Sequence, residues 1–107
     1  AFFGKQLENF RQHKSQTIDH LMNFYPHLPF ILIGDATEKD ADIYLEKYYK
    51  FPERVLGIFI REGRKKESNL RVKELFANQK GLPFHLVEHS IDIVRYAREL
   101  NEFSSVL

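Results

Sequence analysis

The sequence predicts an α/β fold, a partial Rossmann-like domain with a three-stranded parallel sheet joined by crossover helices. Three observations predict it. Helix-period and strand-like segments alternate along the whole chain, the pattern of a parallel sheet. The strand-like runs Phe30-Ile31-Leu32-Ile33 and Val55-Leu56-Gly57-Ile58-Phe59-Ile60 are continuously apolar, as strands covered on both faces are. The first run stops abruptly at Gly34-Asp35, which delivers a carboxylate to the rim where open α/β sheets place their ligands.

The elements follow in order. Phe3, Leu7 and Phe10 recur at helical spacing and predict a weak first helix. A clearer helix is expected from about Ser15, as cap, to Tyr25, with Ile18, Leu21, Met22 and Tyr25 on one stripe; Pro26 ends it. Phe30 to Gly34 is the first strand. A helix opened by Thr37 or Asp40 runs to about Lys50, burying Ile43, Tyr44, Leu45 and Tyr48, and Phe51-Pro52 closes it. Arg54 to Arg61 is the second strand. After the charged loop Glu62 to Glu67, Ser68 caps a helix to about Asn78 that buries Val72, Leu75 and Phe76. Gly81-Leu82-Pro83 breaks the chain before a third strand, Phe84 to Glu88. Ser90 caps the last helix, with Ile91, Ile93, Val94, Ala97 and Leu100 inside, and fraying is expected after Glu102.

At 107 residues the chain reads as one domain, 1–107, or part of one. A 43% apolar fraction is enough for a core. Sixteen basic against fifteen acidic residues leave a net charge of +1, with no field to draw in nucleic acid. Without cysteine there is no disulfide framework and no thiolate metal site. No apolar run approaches the length of a membrane span and no signal peptide is visible, which fits a cytoplasmic or membrane-peripheral protein. The start Ala1-Phe2-Phe3, without an initiator Met, suggests a processed or excised piece. The first strand is too apolar for a sheet edge, where it would invite pairing, so a neighbouring strand is expected outside this sequence.

The chemistry-bearing residues cluster around the first strand. Asp40 follows Asp35 closely, and two acids at a strand's C-terminal end suit Mg²⁺, a hard cation that prefers oxygen ligands. A helix feeding a strand packs antiparallel to it, which brings Lys14 to the same rim. A lysine, two carboxylates and a divalent ion on one rim suit phosphoryl transfer. Taken alone, Asp35 reads more readily as a plain turn residue and Asp40 as a helix N-cap, and it is Lys14 with the flanking residues that reverses this preference. Arg61, at a strand end, can face the site, but a surface arginine with a snorkelling stem is the favoured reading. Arg64-Lys65-Lys66 reads as a solvated loop, since Glu62 and Glu67 flank it. His13, His20 and His27 do not make a zinc site because Pro26 interrupts their helix, and His85 and His89 span a strand end. The Phe and Tyr stripes read as packing residues.

These residues resemble a known family. Lys14 opening a helix, then Gly34-Asp35 and Asp40, is similar to the lysine and paired-acid motifs of the haloacid dehalogenase-like phosphatases. His13-Lys14, Ile18, Tyr25-Pro26, Leu28 to Asp35, Asp40, Ile43-Tyr44 and Phe51 to Arg61 together resemble the catalytic domain of the actin-patch-protein type of phosphatidate phosphatase. The likeness is dense from His13 to Arg61, weaker from Gly81 to about Ala97, and absent before His13. It implies Mg²⁺-dependent removal of phosphate from a phospholipid, phosphatidate, through an aspartyl-phosphate. It implies Lys14 as the catalytic lysine and Asp35 and Asp40 as metal acids, one on the ion and the other on it or on its water shell. The family's Asp-x-Asp-x-Thr nucleophile motif and its Ser/Thr phosphate motif have no counterpart here, and Ala36-Thr37-Glu38 replaces the usual Ser-Gly-Gln. The expectation is therefore the C-terminal half of such a domain, inactive alone and completed by its N-terminal half or a second copy. The competing expectation is a non-catalytic α/β interaction or dimerisation module.

Overall fold

The computed structural model describes residues 2–106. Its elements are α1 (Phe2–Phe24), β1 (Phe30–Asp35), α2 (Asp40–Lys50), β2 (Val55–Arg61), α3 (Lys66–Ala77), β3 (Phe84–Val87) and α4 (Ser90–Val106). The three strands form one parallel sheet in the order β1-β2-β3. The α/β class and the three-stranded parallel sheet are as the sequence predicts.

Several boundaries differ, each for a local reason. The two expected N-terminal helices are a single α1. Between Lys5 and Phe24 the sequence holds neither Gly nor Pro, so nothing interrupts the hydrogen-bond ladder. Ser15 is consequently mid-helix rather than a cap, and its hydroxyl accepts a hydrogen bond from Lys47 (2.7 Å). Helix α3 starts at Lys66, ahead of Ser68, with no side-chain cap at its N-cap residue Lys65. Helix α4 continues to Val106, where the sequence predicts fraying after Glu102. The proposed stripe of Phe3, Leu7 and Phe10 and the inward placement of Ala97 and Leu100 concern side chains outside those described.

The core lies between one face of the sheet and α1, α2 and α3. Leu32, Val55, Ile58 and Ile60 from the strands meet Met22, Ala41, Tyr44, Val72 and Phe76 from these helices. Phe76 stacks on Phe84 at 3.9 Å between ring centroids. On the other face Phe59, Val87 and Ile93 form a smaller cluster beneath α4, with Ile31 beside it. Of the expected α1 stripe, Met22 is buried and Ile18 packs against the core, whereas Leu21 and Tyr25 are exposed. Of the α4 positions, Ile93 is inside and Ile91 and Val94 are exposed.

Strand β2 is central, and its four consecutive buried residues Gly57 to Ile60 show it. Strand β1 occupies an edge of this sheet, although its composition suits a central position. Leu32 is 7% exposed and Ile33 53% exposed. A groove of about 420 Å³ runs along that edge between α1 and β1, lined by His13, Thr17, Ile18, Ile31, Ile33 and Tyr44 among others. Helix α1 is tied to the sheet at its far end by Arg54. This guanidinium donates to the carbonyls of Leu28 (2.8 Å), Met22 (3.0 Å) and Tyr25 (2.5 Å), satisfying acceptors at and beyond the helix end.

Candidate functional site

The site forms where β1 ends. The parallel ladder holds the strand to Asp35, which is paired in register with Arg61 on β2. A tight turn follows, with the Glu38 N–H donating to the Asp35 carbonyl (3.3 Å), and α2 begins at Asp40. The turn folds Asp40 back against the strand end. Asp40 is 3% exposed and packs so closely on Gly34 that a β-carbon there would lie 2.5 Å from the Asp40 Cβ. Glycine before Asp35 is therefore required by space.

Asp40 is the hub. Its Oδ2 accepts the backbone N–H of Asp35 (2.9 Å), and its Oδ1 accepts a hydrogen bond from Lys14 Nζ (2.5 Å). Its carboxylate is thus spent on the strand end and on the lysine, and the helix-capping role its position suggests is not what it does. Lys14 reaches the rim from α1, which runs antiparallel to β1, as the sequence predicts. Glu38 Oε2 lies 4.0 Å from the same ammonium. Asp35 carries its carboxylate outward, one third exposed, and Arg61 pairs with its Oδ2 at 3.1 Å. Lys14, Asp35 and Asp40, the three residues singled out from sequence, thus meet at one lip of the sheet. They line a cleft of about 330 Å³ with Glu38, Arg61 and Ser90.

Arg61 turns to the site, the less favoured of the two places its strand-end position allows, and pairs with Asp35. The available signal was its place at the end of β2, level with Asp35 once the strands are set in parallel register. Two loops brace this corner. A β-carbon on Gly63 would lie 2.5 Å from Thr37 Cγ2, so the loops after β1 and β2 are pressed together. Asn69 fixes Gly63 through both its N–H (2.8 Å) and its carbonyl (3.0 Å).

Tyr44, one turn beyond Asp40 on α2, donates its hydroxyl to the Ile33 carbonyl (2.7 Å). Burial, followed by the nearby charges of Asp40 and Glu38, pushes its phenol well above the usual tyrosine range, so it remains a donor. Among the described residues no group of three or more acidic or histidine side chains is arranged to hold a metal ion. The two acids of the lip are oxygen donors of the kind hard cations prefer.

A parallel α/β sheet that gathers a lysine and two acids at the C-terminal end of a strand puts them where open α/β domains place their ligands. The particular family follows from comparison: the chain belongs to the family described as the catalytic domain of phosphatidate phosphatase APP1, whose model matches residues 1–62. That match reaches further upstream than the likeness beginning at His13, and it stops at Glu62, before the weaker likeness from Gly81 onward. The chain is 33% identical over 60 residues to phosphatidate phosphatase APP1 of Saccharomyces cerevisiae, covering 56% of this chain and 10% of that protein. It is 59% identical over 32 residues to an uncharacterised protein of Schizosaccharomyces pombe, covering 30% of this chain and 5% of that one. The chain thus spans a tenth or less of the length of these relatives. No solved structure matches it.

Proposed function

We propose that this chain supplies the lysine and paired-acid half of a Mg²⁺-dependent, haloacid dehalogenase-like phosphatase domain whose substrate is phosphatidate. The observation that carries the reading is the bridge made by Asp40 between Lys14 and the end of β1. Asp35, the more exposed carboxylate, is the direct ligand for the ion, and Asp40 stands behind it on the water shell. Bound there, Mg²⁺ would neutralise phosphate oxygens during displacement. Lys14 offers a second positive charge to the same phosphate, and Asp40 fixes where that ammonium sits. Arg61 limits the swing of the Asp35 carboxylate.

The aspartate nucleophile belongs to the remainder of the domain, which pairs with the open edge of β1. Turnover therefore requires both parts, and the chain alone is inactive. A lipid substrate would bring the complete protein to a membrane surface, and the location this reading carries is cytoplasmic and membrane-peripheral. No helix among the described residues is long and apolar enough to cross a membrane.

A ¹⁵N-resolved titration with Mg²⁺ tests the half-site directly. The amides of Gly34 and Asp35 shift in the wild-type chain, and Asp35→Asn removes the response. Unchanged spectra at millimolar Mg²⁺ would count against the proposal.

A second reading has its own support in the exposed Ile33 on the open edge of β1. In it the chain is a non-catalytic interaction or dimerisation module. Concentration-dependent dimers that Ile33→Lys abolishes, together with silence toward Mg²⁺, would favour it.

A further inference from the structure

We infer that Arg61 is a second phosphate-binding residue of this cleft, working beside Lys14, and that it takes phosphate only together with the divalent ion. The inference rests on the Mg²⁺ half-site reading above and adds to it a residue that contacts the phosphate.

Arg61 is placed by parts of the fold that lie away from the open edge of β1. It ends β2, the central strand, in register with Asp35. The remainder of the domain pairs with the opposite side of β1, so the side from which this guanidinium reaches Asp35 is settled within the chain. The loop that follows is fixed at Gly63, where Asn69 holds both backbone groups. The Arg61 side chain is 51% exposed and borders the same cleft as Lys14, Asp35 and Ser90.

Arg61 can serve two partners at once. Its Nη2 donates to Oδ2 of Asp35 at 3.1 Å, and among the described residues that is its only side-chain hydrogen bond. A guanidinium carries five N–H donors in a planar fork. The donors not spent on Asp35 suit phosphate oxygens, whose geometry matches the fork. Because the pair uses Oδ2, Oδ1 of Asp35 is left to the ion. Lys14 is arranged in the same way, its ammonium anchored by Asp40. Each acid of the lip holds one cation, and each cation keeps donors for a substrate.

Charge sets the condition. Lys14 and Arg61 bring two positive charges to the cleft, and Asp35, Glu38 and Asp40 bring three negative ones. A phosphate monoester carries about −1.5 to −2 charges near pH 7 and is repelled by that excess. One divalent cation at Asp35 turns the single excess negative charge into a single excess positive one. The aspartate nucleophile of the remainder adds negative charge and makes the dependence on the ion steeper. By linkage, phosphate must tighten the ion in return.

NMR titration of the chain tests this with MgCl₂ alone, with inorganic phosphate alone, and with inorganic phosphate at a fixed saturating excess of MgCl₂. The reporters are the amides of Asp35 and Ser90 and the Arg61 Nε–H. Phosphate alone leaves all three in place; with Mg²⁺ present it moves the Arg61 Nε–H and the Ser90 amide. Arg61→Gln weakens phosphate binding about tenfold, the effect of losing a charged donor. Its Mg²⁺ affinity holds or rises, since a positive charge beside Asp35 is gone. A role confined to steadying Asp35 would weaken Mg²⁺ binding instead. Arg61→Lys keeps the charge without the fork and recovers part of the affinity. Wild-type phosphate affinity in Arg61→Gln overturns the inference, as does phosphate binding that is as tight without Mg²⁺ as with it. So does a Mg²⁺-loaded wild type that ignores phosphate. A wild type silent toward Mg²⁺ defeats the half-site reading, and the inference falls with it.

Discussion

The ammonium of Lys47 has no exposed surface and lies 2.8 Å from Oδ1 of Asp19, which joins α2 to α1 inside the fold. Ser15 accepts a hydrogen bond from it at 2.7 Å, and Lys50 pairs with the other Asp19 oxygen at 2.8 Å. Lys14 lies one residue before Ser15 on α1, so this pair also settles the height at which Lys14 meets the rim.

The two partners are not equivalent when removed. Asp19→Ala leaves the buried ammonium only Ser15 and the exposed carboxylate of Glu46, 3.3 Å away, and should cost about 2–3 kcal/mol. Lys47→Met fills the same space without charge, and because Asp19 is about a quarter exposed and keeps Lys50 the loss should be smaller, about 1–2 kcal/mol. Urea denaturation of both variants measures the asymmetry. Equal losses would mean that the pair acts through packing alone.

Acid should weaken the same junction. Burial raises the Asp19 carboxyl, but hydrogen bonds and charge from Lys47 and Lys50 outweigh it and hold the group below the usual carboxylate range. Its stabilising contribution is therefore fully present above the unfolded value of about 3.9 and is lost as pH falls through the lower, folded value. Wild-type stability should drop more steeply below about pH 4 than that of Asp19→Asn, which has no such proton to take up. Parallel acid denaturation curves for the two chains would refute this.

Gly34→Ala should be more harmful than a methyl group normally is at a strand end. The added carbon would lie 2.5 Å from Asp40 Cβ and 2.6 Å from its Oδ2. Either α2 retreats or Asp40 rotates away from Lys14. The overpacking should cost about 1–3 kcal/mol. The Asp35 amide should also lose its protection from exchange. A melting temperature and exchange pattern like those of wild type would contradict the close approach.

Arg54→Ala should cost about 1.5–3 kcal/mol, because carbonyls near the end of α1 lose a charged donor. Arg54→Lys should restore little, since an ammonium cannot span three carbonyls as the guanidinium fork does. Thermal unfolding of both variants provides the comparison. A lysine variant as stable as wild type would show that charge, not geometry, closes this end.

The alternation of elements, the parallel sheet and the convergence of Lys14, Asp35 and Asp40 were legible because each follows from local pattern and the antiparallel packing of a helix on the strand it feeds. The continuity of α1 was masked by Ser15, which resembles a cap; the absence of Gly and Pro from Lys5 to Phe24 was the better signal, and the Ser15 hydroxyl goes to Lys47 instead. Leu21, Tyr25, Ile91 and Val94 fit helical stripes yet are exposed, because α1 and α4 cover less of this sheet than their apolar faces allow. Arg61 and Tyr44 reach the strand end from other elements. Their tasks depend on register and on the pitch of α2 against β1, which no single segment of sequence encodes.

The bare flank of β1 also governs how the isolated chain behaves at high concentration. Pro29 has no N–H to offer just before the strand, and Tyr44 and Asp40 have already engaged the backbone near its end. Only a short central stretch around Ile31 is left to recruit another copy. Lateral growth into stacked fibrils would have to start from a seam a few residues long, and that keeps an otherwise sticky border from becoming a template for aggregation.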